Sequence, residues 1–244
     1  MLSVKIVAAV AALAAVACTA APCRADPPSE SSLELIRPLG DVYNERATDG
    51  GAYPQSLGLR VVLARHDYAV TLQYWRNVYL TESGGPGALT RYARLEGGFG
   101  TVTPFIARDS AFEARALRRI ARGIPLYAGV GAVRTWTNYH YPVLTGLGAG
   151  FELRAVPSPG VRPFVSGFYY PSASGSYVTE SAPTRTLTPA FGILKVDVGL
   201  FVRGGRSRIF GVIGDAQEVR TGKGLSNENR FIRSDPYAGI GIRM

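Results

Sequence analysis

Beyond residue 25 this chain has no cysteine; both of its cysteines, Cys18 and Cys23, lie in the first 25 residues. A chain cut after Ala25 would lack a disulfide framework, a thiol nucleophile and a cysteine metal site. Histidine is almost as scarce, with His66 and His140 alone, and lysine occurs only at Lys5, Lys195 and Lys223, so arginine supplies the rest of the 27 basic residues. After the N-terminal segment no apolar run reaches the ~20 residues that a spanning helix needs. Mean hydropathy is near neutral. That suits a membrane barrel, in which only every second strand residue meets lipid.

The first 25 residues read as an export signal. Lys5 is the only charge before the apolar run from Ile6 to Ala17, which is too short to span and has the length of a signal core. The expected cut follows Ala25, with Cys23 and Ala25 as the small residues before it. An alternative is lipidation at Cys18 through Ala15-Val16-Ala17-Cys18, although leucine is missing from its usual place. Losing Lys5 and Arg24 with the leader lowers the net charge from +9 to +7. The basic residues are spread along an exported chain, so no nucleic-acid partner is expected. Arginine is a bidentate phosphate ligand, and it also suits a barrel's lumen and rims.

The positive signal is two-residue alternation, recurring from about Ser32 to the last residue. Leu57, Leu59, Val61 and Leu63 share one face against Gly58, Arg60, Val62 and Ala64. Leu126, Ala128, Val130, Ala132 and Trp136 oppose Gly129 and Gly131. Val143, Leu147, Ala149, Phe151 and Leu153 oppose Gly146, Gly148, Gly150, Glu152 and Arg154. A soluble sandwich would bury its large apolar residues. Here the face opposite them is glycine with a few charges, and inward glycine leaves room for large neighbours in a narrow barrel. Residues 110–120 fit either a helix opened by Ser110 and Glu113 or a strand; we read a strand.

The gaps between these segments alternate in length. Short ones fall at 65–68, 121–123, 156–160 and 204–207; longer ones fall at 38–55, 81–109, 138–142, 172–185 and 217–232. Tight turns at one rim and large loops at the other mark an up-and-down barrel. The fold expected is all-β: a closed antiparallel transmembrane β-barrel of about ten strands, with eight to twelve compatible. It would occupy residues 26–244 as one domain, in which 26–55 form a weak first strand and a long loop. Both termini would lie on the short-turn side.

The repeated Gly129-Val130-Gly131 and Gly146-Leu147-Gly148-Ala149-Gly150 segments, the export signal, and the closing Tyr237-Ala238-Gly239-Ile240-Gly241-Ile242-Arg243-Met244 together resemble the bacterial outer-membrane β-barrel superfamily across roughly residues 32–244. The resemblance implies a place in the outer membrane, contact with its lipid, and insertion by the barrel insertion machinery. The superfamily's closing strand usually ends in an aromatic residue; this chain ends in Met244.

No catalytic constellation emerges, and an enzyme, a metal site or a cofactor is not expected. His66 falls in a short turn and His140 in a long loop, at opposite rims. His66-Asp67 reads as a polar turn dipeptide. Ser174, Ser176 or Glu180 could approach His140 only across the mouth. Gly97-Gly98-Phe99-Gly100 and Gly222-Lys223-Gly224 lack the context of phosphate loops and read as loop pieces. Arg60, Glu113, Arg115, Arg119, Glu152, Arg154, Lys195 and Asp197 fall on the inward phase. They would form either a lumen plugged by ion pairs or a small polar pore with excess positive field. Tyr68, Tyr74, Trp136, Tyr139 and Tyr141 are candidates for an interfacial aromatic girdle. Arg118 and Arg134 fall on the outward phase near strand ends, where they can snorkel. The function expected is structural or surface interaction through loops 81–109, 172–185 and 217–232. The alternatives are a narrow channel or solute-binding barrel, a lipid-modifying or proteolytic barrel enzyme, and a soluble exported barrel holding an apolar ligand.

Overall fold

Ten strands pair in sequence and the last returns to the first. In the computed structural model, residues 31–40, 43–44, 53–65, 67–81, 105–121, 124–138, 142–154, 159–179, 182–223 and 230–244 are described. They form thirteen strands: β1 Ser32–Pro38, β2 Tyr43–Asn44, β3 Leu57–Arg65, β4 Tyr68–Thr81, β5 Phe105–Arg119, β6 Leu126–Thr137, β7 Leu144–Arg154, β8 Gly160–Ser174, β9 Tyr177–Thr179, β10 Ala182–Leu187, β11 Ala190–Arg203, β12 Ile209–Lys223 and β13 Arg230–Arg243. Every pairing is antiparallel, and closure runs from Ser32 opposite Arg243 to Pro38 opposite Tyr237. Short connections and both ends of the described chain lie at one rim, as the gap pattern requires.

Three of the long-rim segments differ from the sequence reading. Of residues 217–232, the described ones are strand rather than polar loop: β12 runs to Lys223, taking in Gly222, and β13 starts at Arg230. Polar residues alternate there because Glu218 and Arg220 point into the lumen, where they pair with each other and Glu218 meets Arg233 of β13. The gap at 81–109 shortens because β5 begins at Phe105 and its first residues pair with the end of β4. Within 172–185, β9 and β10 form a hairpin of their own, separate from the barrel sheet. Residues 110–120 belong to a strand, because Glu113 and Arg115 on one side and Phe112 and Ala114 on the other satisfy a period of two. The strand-like piece 91–103, the Gly97–Gly100 stretch, His66, His140, Tyr139 and Tyr141 lie outside the described residues.

Glycine and aromatic residues fit together across neighbouring strands. A Cβ on Gly150 would sit 2.7 Å from the Cγ of Phe168, and one on Gly214 would sit 2.6 Å from the Tyr237 ring. Phe168 stacks with Tyr170 at 6.3 Å between centroids. Both rings are fully buried inside the barrel, together with Ile193 and Leu144. A second buried cluster holds Ile36, Trp75, Phe164, Phe201, Phe210, Val212 and Tyr237. Trp75 meets Tyr237 edge-on at 5.4 Å. The interior is therefore filled by side chains, as expected of a narrow barrel.

The outer wall is the apolar surface. Leu35, Leu63, Val70, Phe112, Val130, Leu147, Leu200, Ile213 and Ile240 all stand exposed on it. On β5 the outward arginines Arg108 and Arg118 bracket uncharged Ser110, Phe112, Ala114 and Ala116. At ~3.3 Å rise and a tilt of about 40°, their spacing spans roughly 25 Å along the axis, the height of a barrel's lipid-facing band. The band is narrower on β4 and β6, where outward Arg76 stands opposite Ser110 and outward Arg134 opposite Phe112, and on β12 and β13, where Asp215 accepts hydrogen bonds from Gln217 (2.6 Å) and Ser234 (2.9 Å).

Candidate functional site

The charged residues of the inward phase meet in the lumen. Near the short-turn rim, Arg60 pairs with Glu34 at 3.2 Å and also with Asp197. Arg154 reaches Glu34 as well, and the Tyr237 hydroxyl donates to Asp197 at 2.6 Å. Higher up, Arg115 pairs with Glu113 at 2.7 Å and Glu152 at 2.8 Å. Lys195 reaches Glu113 at 2.6 Å and Glu218 at 3.6 Å. The Tyr170 hydroxyl donates to Glu113 at 2.9 Å, and the Thr71 hydroxyl donates to Glu152 at 3.2 Å.

Nearest the long-loop rim, Arg220 pairs with Glu218 and, at 3.6 Å, with Asp109. Arg233 pairs with Glu218 at 3.1 Å, Asp109 at 3.4 Å and Asp235 at 2.8 Å. The Asn77 amide donates to Asp235 at 2.6 Å, and Trp75 donates to Asn77 at 2.8 Å. Arginine faces also lie over rings: Arg115 sits 4.3 Å from the Phe168 centroid and Arg154 5.2 Å from that of Phe201.

Seven of the eight inward residues singled out from sequence enter this network: Arg60, Glu113, Arg115, Glu152, Arg154, Lys195 and Asp197. Arg119 does not; it lies at the short-turn rim and donates to the Ile124 carbonyl at 3.2 Å. Sequence reasoning missed Glu34, Asp109, Glu218, Arg220, Arg233 and Asp235. Glu34 stands between Leu33 and Leu35, and Glu218 with Arg220 and Arg233 with Asp235 repeat at a spacing of two. Reading 217–232 as a loop hid Glu218 and Arg220; Arg233 and Asp235 open the expected last strand, but their inward pairing was not read from it.

Among the described residues, the paired network sets six cations against seven carboxylates and so is close to balance, while the further inward-phase arginines Arg119, Arg162, Arg203 and Arg243 stand toward the short-turn rim. Between the paired groups, cavities of about 30 and 10 Å³ remain. They hold a few waters at most. One is lined by Glu113, Lys195, Glu218 and Arg233; the other by Arg60, Glu152 and Ser166.

The outer wall carries the three girdle candidates among the described residues. Tyr74 and Trp136 approach to 6.1 Å between centroids on the long-loop side of the band. Tyr68 is exposed at the opposite edge, under the Arg118 guanidinium at 6.0 Å. Arg134 and Arg118 both face outward and are exposed, as their phase requires.

No protein-family model matches the chain, and no curated protein matches it in sequence. Among solved structures it is similar to the Pseudomonas putida toluene transporter TodX at 12% identity, over 88% of this chain and 70% of that one, with a TM-score of 0.31. It is also similar to a TodX deltaS2S3 mutant, described as a monoaromatic hydrocarbon channel, at 10% identity, over 89% of this chain and 91% of that one, with a TM-score of 0.30. At these TM-scores neither likeness bears on what the chain does; what it shares with the superfamily of the sequence resemblance is the closed antiparallel barrel.

Proposed function

We propose that this chain is an integral barrel of a bacterial outer membrane whose lumen is sealed, and whose role is structural or in surface interaction beyond its long-loop rim. The observation that carries this reading is the inversion of a soluble fold: an apolar outer wall surrounds an interior of reciprocally paired charges. A sealed interior leaves the outer face as the working surface, and β9–β10 adds a hairpin separate from the barrel sheet. Wall height, the arginine-bounded band and the aromatic pair support the membrane placement. A standing pore would have to part ion pairs buried on both sides, and such groups are costly to leave unpaired.

Planar-bilayer recording of the refolded protein tests the sealed lumen, with boiled and unboiled samples run on a denaturing gel beside it. The expected result is a heat-dependent mobility shift with no steady conductance. Steady single-channel steps would overturn the sealed reading and favour the channel alternative. Recovery from cells as a soluble protein with no shift would overturn the membrane placement and favour an apolar-ligand barrel.

A further inference from the structure

The outer wall has a feature that sealing the lumen does not explain. Across β5, β6 and β7 the outward positions form a grid fixed by register. Ala114 stands opposite Ala132, which stands opposite Leu147; one row nearer the long-loop rim, Phe112 stands opposite Arg134, which stands opposite Thr145. The two alanines make the floor of an apolar trough of about 420 Å³, walled by Phe112 and Leu147 and closed at its upper end by Arg134. That volume lies within the ~300–1,000 Å³ range of small-molecule sites.

The upper end is basic. Arg76 on β4 stands opposite Ser110, which stands opposite Trp136, and Arg108 lies two residues beyond Ser110. At a strand spacing of about 4.8 Å, Arg76 and Arg134 flank β5 within roughly 12 Å of each other, so their side chains can converge on one group. Among the described residues, neither Arg76, Arg108 nor Arg134 has a carboxylate partner, in contrast to the paired lumen arginines. Arg76 donates only to the Tyr74 hydroxyl at 3.2 Å.

We propose that this trough and its arginines form a binding site for a phosphate-bearing lipid of the outer leaflet. An acyl chain lies along Ala132 and Ala114, and the phosphate is held by Arg134 and Arg76. The chemistry favours this occupant on two grounds. The trough runs from the arginine row toward the middle of the apolar band, the direction a leaflet lipid takes. Guanidinium groups bind phosphate bidentately and are weakly hydrated, so they serve well at a lipid boundary. The proposal rests on the membrane placement above.

The test uses the full chain refolded into neutral phosphatidylcholine nanodiscs doped with phosphatidic acid, or with diacylglycerol bearing the same chains. Retained lipid is read by native mass spectrometry. Phosphatidic acid is expected to be retained in preference to diacylglycerol. R76Q/R134Q should lower its retention about tenfold or more, the scale of losing charge-assisted hydrogen bonds. Ala132→Phe, which fills the trough and leaves both arginines, should lower it to a similar degree. Equal retention of diacylglycerol, or unchanged retention by either variant, would overturn the site. Displacement of phosphatidic acid by inorganic phosphate at equal concentration would also overturn it, by assigning the arginines to a free anion. A heat-shift gel on each sample separates the two readings: folded barrels without lipid preference sink this site alone, whereas a wild-type protein with no heat shift sinks the membrane placement with it.

Discussion

Glu113 holds three partners in the middle of the network, and its charge offers a direct probe of the sealed lumen. It accepts from Arg115 at 2.7 Å, from Lys195 at 2.6 Å and from the Tyr170 hydroxyl at 2.9 Å. Glu113→Gln keeps the volume and removes the charge. Arg115 then retains Glu152 at 2.8 Å, and Lys195 retains only Glu218 at 3.6 Å. Removing one partner of a buried pair costs about 3–5 kcal/mol. Because each cation keeps a second carboxylate, we expect the lower end, about 3 kcal/mol. With a urea slope on the order of 2 kcal/mol/M, that shifts the unfolding midpoint down by about 1.5 M. The assay is urea unfolding in lipid vesicles followed by fluorescence of Trp75 and Trp136. Glu113→Gln combined with Lys195→Met removes the under-compensated cation too. The pair should therefore recover at least about 1 kcal/mol relative to additivity. A single variant within about 0.5 kcal/mol of wild type, with no coupling, would refute the buried network.

Ala114 lies near the middle of the stretch between the outward Arg108 and Arg118. Ala114→Arg should cost about 2–4 kcal/mol in vesicles if the wall meets lipid; an unchanged midpoint would argue for a wall in water. A Cβ on Gly150 would lie 2.0 Å from the Gly167 carbonyl oxygen. Gly150→Val should therefore abolish the heat-resistant folded band, and a normal band would show that the strand pair has room to move. Asp215→Leu removes the acceptor of Gln217 and Ser234 from the outer wall. It should leave the midpoint within about 1 kcal/mol of wild type, since a lost polar contact is offset by apolar area toward lipid; a loss above about 3 kcal/mol would mean that this polar patch holds the β12–β13 pair.

Strand identity and facing were legible in the chain because side-chain period in a strand is local. The parity that puts Leu59 outward and Arg60 inward needs no knowledge of any other strand. The same holds for Leu147 against Gly148, and for the alternation of tight and long connections that placed both termini at one rim. Legibility failed where the inward phase is itself charged. Glu218 and Arg220 look like loop residues until a countercharge is present to take them inside. Which acid meets which arginine was not encoded locally at all: Glu34 meets Arg154 from the other side of the barrel, and Arg60 meets Asp197, 137 residues away. Those meetings follow from strand register, stagger and closure, which set who stands across a lumen only once the wall is complete. The near-balance of the paired network and the filling of the interior are properties of that closure, and no stretch of sequence carries them alone.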